Sequence, residues 1–306
     1  MEYHVPVMLS ESINGLNLET GGVYVDVTFG GGGHSREIYQ RLIRGKLIAF
    51  DQDPDSAANA KGFESDAQRS FVFVPANFRY LRRYLKFHKV EKVEGILADL
   101  GVSSHQFDVA DRGFSTRFEG KLDMRMDQKS QKSAETVIND YSEKELVQIF
   151  SLYGEIKNAK TLAGAIVQER NKEPITTTTQ LTGIAERVGP KARMAKYHAQ
   201  LFQAIRIEVN EEMEALKDFL SQTVEVLKPG GRLVVISYHS LEDRLVKNFI
   251  NTGNFSGRQE KDFYGNLIRP LEPVNRKPIV SETEELKKNT RARSAKLRIA
   301  ENRKTE

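Results

Sequence analysis

The sequence contains no cysteine among its 306 residues. This absence excludes disulfide bonds and thiolate metal sites, and it is consistent with a reducing cytosol. No apolar run approaches the roughly 18 residues that a membrane-spanning helix needs. The first ten residues also lack the basic and apolar stretches of a signal peptide. Together these absences predict a cytoplasmic protein that does not associate with a membrane.

A strong overall charge is missing too, because the formal net charge is only +4. Basic residues are nevertheless concentrated in two places. One cluster contains Arg79, Arg82, Arg83, Lys86, Lys89 and Lys92, and the other, in the last 20 residues, contains Lys287, Lys288, Arg291, Arg293, Lys296, Arg298, Arg303 and Lys304. Such a local excess can neutralise phosphates. A solvated helix face and a charged tail are the simpler interpretation of either cluster alone.

The order of the predicted strands and helices indicates an α/β fold. Apolar strands are expected over residues 22–28, 46–51, 70–74 and 93–100, with helices between them. Near-continuous apolar strands separated by helices are typical of a parallel sheet that is buried on both faces. The next comparable strand, 232–237, follows only after roughly 130 residues, far more than one crossover requires.

We therefore predict a doubly wound sheet that is interrupted by an all-helical domain. The first part of the core comprises residues 1–105, and the helical insertion, a candidate substrate-recognition domain, comprises 106–205. The second part of the core, with the basic tail, comprises 206–306. A crossover helix is expected over 209–227, where Pro229, Gly230 and Gly231 stop it.

A glycine cluster follows the first predicted strand. Gly30 to Gly33 lie between that strand and a helix, the usual position of the cofactor crevice in a doubly wound sheet. The dinucleotide fingerprint requires a third glycine three positions after the second. Counted from Gly31 and Gly33, that position is Arg36, so the pattern of a pyrophosphate-binding enzyme fails.

Two acidic residues stand at the ends of further strands. Asp51 follows the second strand and can accept hydrogen bonds from both hydroxyls of a ribose, and Asp99 ends the fourth strand, where it could accept from an adenine amine. The glycines alone could be a flexible loop, and Asp51 alone could cap a helix. In this order they predict a pocket for a phosphate-free adenosine, and S-adenosylmethionine, which is cationic at sulfur, fits it.

The motifs that continue beyond this pocket are long and unusual. They are HVPVMLSE (4–11), DVTFGGGGHS (26–35), FDQDPD (50–55), ADLGVSSHQFD (98–108), RGFS (112–115), LDMRMD (122–127), FQAIRIEVNEE (202–212), KPGGRLVVISYHSLEDR (228–244) and RARSAKLR (291–298). In these motifs the chain resembles the bacterial 16S rRNA (cytosine-N4)-methyltransferase family, RsmH or MraW, nearly from end to end. The resemblance implies a class I S-adenosylmethionine methyltransferase core, Rossmann-like, with a helical insertion.

The resemblance also implies a substrate and a set of site residues. The substrate is N4 of a cytidine in the decoding region of 16S rRNA within the small ribosomal subunit, and no metal is required. The implied cofactor contacts are Gly32, Gly33, His34, Asp51, Phe78, Asp99 and Gln106. Taken from the residues alone, Phe78 could equally be a core aromatic, and His34 could simply begin a helix.

Catalytic candidates lie after the fourth and fifth strands. Asp99 is either the adenine anchor, which we favour, or the acceptor for the target amine, and Ser103 is a further acceptor. His239 could contact the base or relay a proton, or it could pack while Ser240 caps the following helix. The sequence leaves open whether the protein is a monomer or a homodimer.

The chain departs from the family pattern at three places. Residues 196–202 (KYHAQLF) lack the usual His-Pro-Ala, Tyr238 replaces a phenylalanine, and Thr290 replaces a proline. The first two fall on the side where substrate is expected. The alternatives are a methyltransferase for another nucleic acid, a protein or a small molecule, a nucleotide-binding oxidoreductase, and a non-catalytic RNA-binding module. The motifs beyond the pocket disfavour another substrate, and Arg36 disfavours the oxidoreductase. The intact Gly30–Gly33, Asp51 and Asp99 disfavour a non-catalytic module.

Overall fold

The structure, a computed structural model, describes residues 6–303 and contains a seven-stranded sheet within them. The strands, numbered in chain order, are β1 (Val23–Asp26), β2 (Gly45–Phe50), β3 (Arg69–Val74), β4 (Val93–Asp99), β5 (Leu227–Ser237), β6 (Leu271–Pro273) and β7 (Lys296–Asn302). The motif residues His4 and Val5, and Lys304 of the basic tail, lie outside the described residues.

The strands are ordered β3-β2-β1-β4-β5-β7-β6. Strands β1 to β5 pair in parallel, whereas β7 runs antiparallel to both of its neighbours. The order reverses on the two sides of β1, and ligands of doubly wound sheets bind outside the carboxyl end of the strands at such a point. The predicted doubly wound α/β fold is confirmed.

Helices cover both faces of the sheet. They are α1 (Leu9–Leu16), α2 (Gly33–Arg41), α3 (Ala57–Ala60), α4 (Leu81–Phe87), α11 (Glu212–Val226), α12 (Ser240–Thr252) and α13 (Thr283–Lys288). One apolar cluster packs α4, α11 and α12 against the sheet, and a second packs α1 and α2. The predicted burial of both faces therefore follows from two separate apolar layers.

A second compact unit, Val102–Glu212, is helical and has its own core. Its helices are α5 (Ser104–Asp108), α6 (Ala134–Asp140), α7 (Glu143–Leu152), α8 (Ala159–Arg170), α9 (Thr178–Val188) and α10 (Met194–Asn210). Serine or threonine side chains cap α5, α6, α7 and α9 in capping boxes. The predicted all-helical insertion is thus present.

The boundaries of this helical unit differ from the predicted ones. The sheet unit continues to Gly101 and resumes at Met213, rather than ending at residue 105 and resuming at 206. A junction at 205 would fall inside α10, which is continuous from Met194 to Asn210. The assignment of this unit to substrate recognition stays a prediction.

Two further local predictions need correction. The crossover helix expected from residue 209 begins only at Glu212, because Glu211 has a positive φ of 51° that interrupts the helix after α10. Pro229, Gly230 and Gly231, expected to lie before the strand, are inside β5. The pairing of β4 with β5 shifts in register between Val93 and Gly95, and this irregularity accommodates them.

Across residues 6–303, no helix combines the length and apolarity required to traverse a lipid bilayer.

Replacing Phe150 tests whether the helical unit depends on its own core. Phe150 of α7 is fully buried, whereas Leu152 of the same helix is 52 % exposed. We expect Phe150→Ala to lower the free energy of unfolding by about 3–5 kcal/mol, because it leaves a cavity. The matched control Leu152→Ala should change it by less than about 0.5 kcal/mol. Urea denaturation measures both, and equal effects would contradict this description of the core.

Candidate active site

Three carboxylates meet at the carboxyl edge of the parallel strands. Asp26 ends β1, Asp99 ends β4, and Asp51 directly follows β2. Because β1 pairs with both β2 and β4, these three strand ends are adjacent. The structure therefore brings Asp51 and Asp99 to one edge, as the sequence predicts, and adds Asp26 to them.

Asp51 anchors the glycine loop. Its Oδ2 accepts from the backbone N–H of Gly30 at 2.7 Å and from Ser56 Oγ at 2.9 Å, and its Oδ1 accepts from the N–H of Asp53 at 2.8 Å. Burial raises the pKa of Asp51 to about 6, against the lowering effect of these donors. The helix-capping role is performed by Asp53, which accepts from the N–H of Asp55. These three bonds use three of the roughly four lone-pair positions of a carboxylate.

The four glycines differ in their backbone conformation and in the space that surrounds them. Gly30 and Gly32 have positive φ angles of 51° and 77°. A Cβ atom on Gly33 would lie 2.2 Å from Cγ of Pro6, whereas one on Gly31 would meet nothing within 4 Å. Gly33 is therefore required by the close approach of residue 6, and Gly31 faces open space. Helix α2 begins here without a side-chain cap, so its first N–H groups can receive an anionic group.

Asp99 is the centre of a hydrogen-bonded network. Its Oδ1 accepts from the hydroxyl of Tyr238 at 2.7 Å, and its Oδ2 lies 3.8 Å from His34 Nδ1. Its backbone N–H donates to Thr28 Oγ1 at 2.6 Å. Burial raises the pKa of Asp99 to about 6, while His34 and the Tyr238 hydroxyl act in the opposite direction. In return, burial and the Asp99 charge raise the pKa of Tyr238.

Asp26 extends this network below the surface. It is only 1 % exposed. Its Oδ2 accepts from Ser35 Oγ at 2.6 Å, and its Oδ1 accepts from the N–H of Thr28 at 3.0 Å. Burial raises the pKa of Asp26 although these donors oppose the rise. Buried networks in which each group is satisfied are rigid, so Asp26 fixes the turn on which the edge is built.

His34 occupies the first turn of α2 and points toward Asp99. Its Nε2 lies 3.1 Å from the carbonyl oxygen of Val7. A carbonyl can only accept, so Nε2 carries the proton and Nδ1 is the atom that faces Asp99. The geometry shows the helix start that the sequence offered as one alternative, and the contact with a cofactor stays a prediction.

His239 is the N-cap residue of α12, the role that the sequence offered to Ser240. Its Nδ1 accepts from the N–H of Glu242 at 3.4 Å, and its Nε2 lies 3.1 Å from Glu242 Oε1. Glu242, which is 2 % exposed, also accepts from the N–H of Tyr238 at 2.8 Å. The ring is thus held at the end of β5, beside Tyr238, and its catalytic role stays a prediction.

The remaining candidates have structural partners of their own. Phe78 is partly buried and packs edge to face on Phe219 of α11, with ring centroids 5.4 Å apart. Ser103 and Gln106 belong to the helical unit and form the capping box of α5: Ser103 Oγ accepts from the N–H of Gln106, and Gln106 Oε1 accepts from the N–H of Ser103. These contacts leave the predicted roles of all three untested.

Sequence reasoning missed Asp26, Thr28 and the hydroxyl of Tyr238 as parts of the site. The signal for Asp26 was present, since it ends β1 as Asp99 ends β4. No signal marked Thr28, and the presence of Tyr238 in place of a phenylalanine indicated the substrate side but not the bond to Asp99, because these contacts join residues 71 and 139 positions apart in the chain.

Comparison with known proteins gives a consistent result. The model of the MraW methylase family matches residues 1–303. The ribosomal RNA small subunit methyltransferase H of Cytophaga hutchinsonii is 56 % identical over 299 residues, covering 98 % of this chain and 99 % of that protein. Its counterpart in Flavobacterium johnsoniae is 56 % identical over 302 residues, covering 98 % of each. A solved rRNA methylase from Streptococcus thermophilus, 11 % identical with a TM-score of 0.43 over 99 % of each chain, is too distant to add to these.

Two neighbouring glycines allow the pocket to be tested separately from folding. We expect Gly31→Ala to leave the unfolding temperature unchanged, because its methyl group enters open space. It should still lower the affinity for S-adenosylhomocysteine, since we expect the ligand to approach the backbone in that space. Gly33→Ala should lower both quantities because of its contact with Pro6. Calorimetric titration and thermal denaturation distinguish the two, and unaltered ligand affinity in Gly31→Ala would place the pocket elsewhere.

Proposed function

This chain belongs to the MraW methylase family, which makes it a methyltransferase that uses S-adenosylmethionine, and we propose that it methylates N4 of a cytidine in the decoding region of 16S rRNA. The observation that carries the proposal is the match of the family along residues 1–303, with relatives named for small-subunit rRNA at 56 % identity. The small ribosomal subunit is then its partner, and the cytoplasm its place of action.

The edge of the sheet has the electrostatics that this cofactor needs. Asp26, Asp51 and Asp99 lie at adjacent strand ends, so the edge is acidic wherever they are ionised. A sulfonium is attracted to such an edge, whereas a pyrophosphate is repelled. The uncapped start of α2 offers N–H groups to a carboxylate. Asp51 would hold the ribose, and Asp99 the adenine amine.

The bound cofactor supplies a methyl carbon that is already activated, because its leaving group is a neutral thioether. The protein must therefore orient the nucleophile, whose lone pair is delocalised into the cytosine ring. Holding the reacting atoms in line can contribute about 7–11 kcal/mol. Cytosine inside a helix is hard to reach, so the target nucleotide is expected to be unpaired or turned out of its stack.

The amine must also lose one proton after methylation. Acceptors near the end of β4 can hold its N–H groups while the nitrogen rehybridises. The candidates are Asp99, Ser103 and His239, each kept in place by the contacts described above. The Tyr238 hydroxyl donates to Oδ1 of Asp99, whereas Oδ2 of Asp99 faces His34.

The substrate assignment is tested by the identity of the methylated nucleoside. Small ribosomal subunits, naked 16S rRNA and DNA are each incubated with the enzyme and labelled S-adenosylmethionine, then digested to nucleosides. We expect labelled N4-methylcytidine from the ribosomal material and none from DNA. Label in another nucleoside, or transfer to DNA alone, would refute the proposed substrate.

The pH dependence of cofactor affinity tests the role of Asp99. Because the pKa values of Asp51 and Asp99 are about 6, affinity for S-adenosylmethionine should fall as the pH decreases through 6 and both become neutral. Asp99→Asn should weaken binding at pH 7.5 by about 10- to 100-fold, the effect of losing a charged hydrogen bond, and should make the pH profile shallower, because only Asp51 of the two then titrates.

The control Tyr238→Phe removes only the hydroxyl that donates to Asp99. That bond favours the charged carboxylate, so its loss should raise the pKa of Asp99 and move the profile to higher pH. Calorimetric titration between pH 5 and 8 measures all three proteins. Unchanged affinity in Asp99→Asn, together with lost turnover, would reassign Asp99 from the adenine to the target amine.

A further inference from the structure

The outward face of α4 has an unusual composition. The exposed side chains of this helix are Arg82, Arg83, Lys86 and Phe87, so each of them is cationic or aromatic. Phe87 is 76 % exposed, and Tyr80 in the turn just before the helix is 48 % exposed. We call residues 79–89 the α4 surface. Its sequence contains no acidic residue, and its apolar residues Leu81 and Leu85 face the core.

Part of the positive charge on this surface is already compensated by α11. Arg79 Nη2 lies 2.8 Å from Asp218 Oδ2, and Arg82 Nη1 lies 2.5 Å from Glu225 Oε2. Gln222, between these two acids, accepts from the N–H of Arg82 and donates to the carbonyl of Arg79. These contacts hold α4 against α11. Of the basic cluster, Arg79 and Arg82 are therefore less available to neutralise phosphates.

Three cations remain uncompensated. Arg83, Lys86 and Lys89 are exposed, and none of them makes an ion pair with the described part of the chain. Arg83 and Lys86 line an open groove of about 620 Å³ between α4 and α11, together with Tyr80. An open groove with free cations and an aromatic wall is suited to a flexible polyanion rather than to an enclosed small ligand.

The α4 surface begins at the same edge of the sheet as the candidate active site. The turn Phe78–Tyr80 follows the carboxyl end of β3, and Asn77 Nδ2 donates to Gln52 Oε1, beside Asp51, at 2.7 Å. From there α4 leads away toward its C-terminal residue Phe87. A strand whose target base lies at the edge can therefore continue along this helix.

We propose that the α4 surface binds a single-stranded segment of rRNA that flanks the target nucleotide. Arg83, Lys86 and Lys89 neutralise its phosphates, and Tyr80 and Phe87 stack on unpaired bases. Positive charge combined with exposed aromatic rings is the chemistry by which proteins bind single-stranded nucleic acid. This inference rests on the proposed function, since it assumes an rRNA substrate.

The phosphate contacts are tested by the salt dependence of binding. A fluorescent single-stranded fragment of 16S rRNA that contains the target is titrated with the full-length protein at several salt concentrations. We expect Arg83→Ala/Lys86→Ala to reduce the slope of log affinity against log salt by about 1.4, since each contact with a single strand contributes about 0.7.

The matched control is Lys61→Ala/Lys277→Ala, which removes two exposed positive charges from other parts of the sheet unit. It should leave the slope unchanged. The affinity for S-adenosylhomocysteine and the unfolding temperature should stay at the wild-type values in both double variants, which excludes misfolding. An unchanged slope in Arg83→Ala/Lys86→Ala overturns the proposal.

The stacking contact is tested by two substitutions of Phe87. Phe87→Leu keeps an apolar side chain but removes the ring, and we expect it to weaken binding of the fragment about tenfold. Phe87→Tyr keeps the ring and should bind as the wild type does. Equal affinities for the two variants would overturn the proposal. A defect that is seen with whole small subunits but not with the RNA fragment would also overturn it, because it would point to a ribosomal protein as the occupant. Failure of the proposed function is distinguishable, because the wild-type protein would then not produce N4-methylcytidine.

Discussion

Three carboxylates that are buried or half-buried, and that hydrogen bonds help to ionise, are the constraint on which the rest of this structure depends. Asp26, Asp51 and Asp99 stand at adjacent strand ends, and burial raises the pKa of each. Donors from the backbone and from hydroxyl groups oppose this rise. An unpaired buried charge would be too costly to keep, whereas a hydrogen-bonded one is tolerated. Because the pKa values of Asp51 and Asp99 are about 6, these two carboxylates are ionised above that pH, and the edge then attracts a cation.

The same hydrogen bonds determine the shape of the edge. Asp51 holds the glycine loop through Gly30, Asp26 holds the turn after β1, and Asp99 joins β4 to β5 through Tyr238. Electrostatics and geometry thus come from one set of contacts. Replacing one of these acids can change the local charge and the backbone path together, whereas Gly31→Ala and Tyr238→Phe keep all three carboxylates in place.

Much of the fold could be predicted from the sequence because its strands are apolar and its helices carry strong local signals. Strand β4, for example, was expected over residues 93–100 and spans Val93–Asp99. Helix α1 was missed, because it is short and follows Met8, whose φ of 48° no local pattern reveals. The division at residue 205 was misplaced because periodicity did not show that α10 and α11 are separate helices that meet near Glu211.

In the site, the sequence predicted which strand ends carry acids, but not which groups of the protein form hydrogen bonds with those acidic residues. Asp51 and Asp99 were found from their positions, whereas the Tyr238 hydroxyl and Thr28 reach Asp99 across the sheet, and only the three-dimensional register reveals such contacts. The sequence assigned His239 to packing or catalysis, whereas the structure shows it as the N-cap of α12. This role was missed because histidine is not a usual residue at the N-cap.

The strand order has a consequence for how the protein is made on the ribosome. Strand β4 pairs with β1 on one side and with β5 on the other, yet residues 100–226 separate β4 from β5 in the chain. At usual elongation speeds this interval lasts on the order of ten seconds, during which β4 is an open, apolar edge of the nascent sheet. The helical unit, with its own core and local caps, can fold in that time, and the sheet closes only after the chain returns.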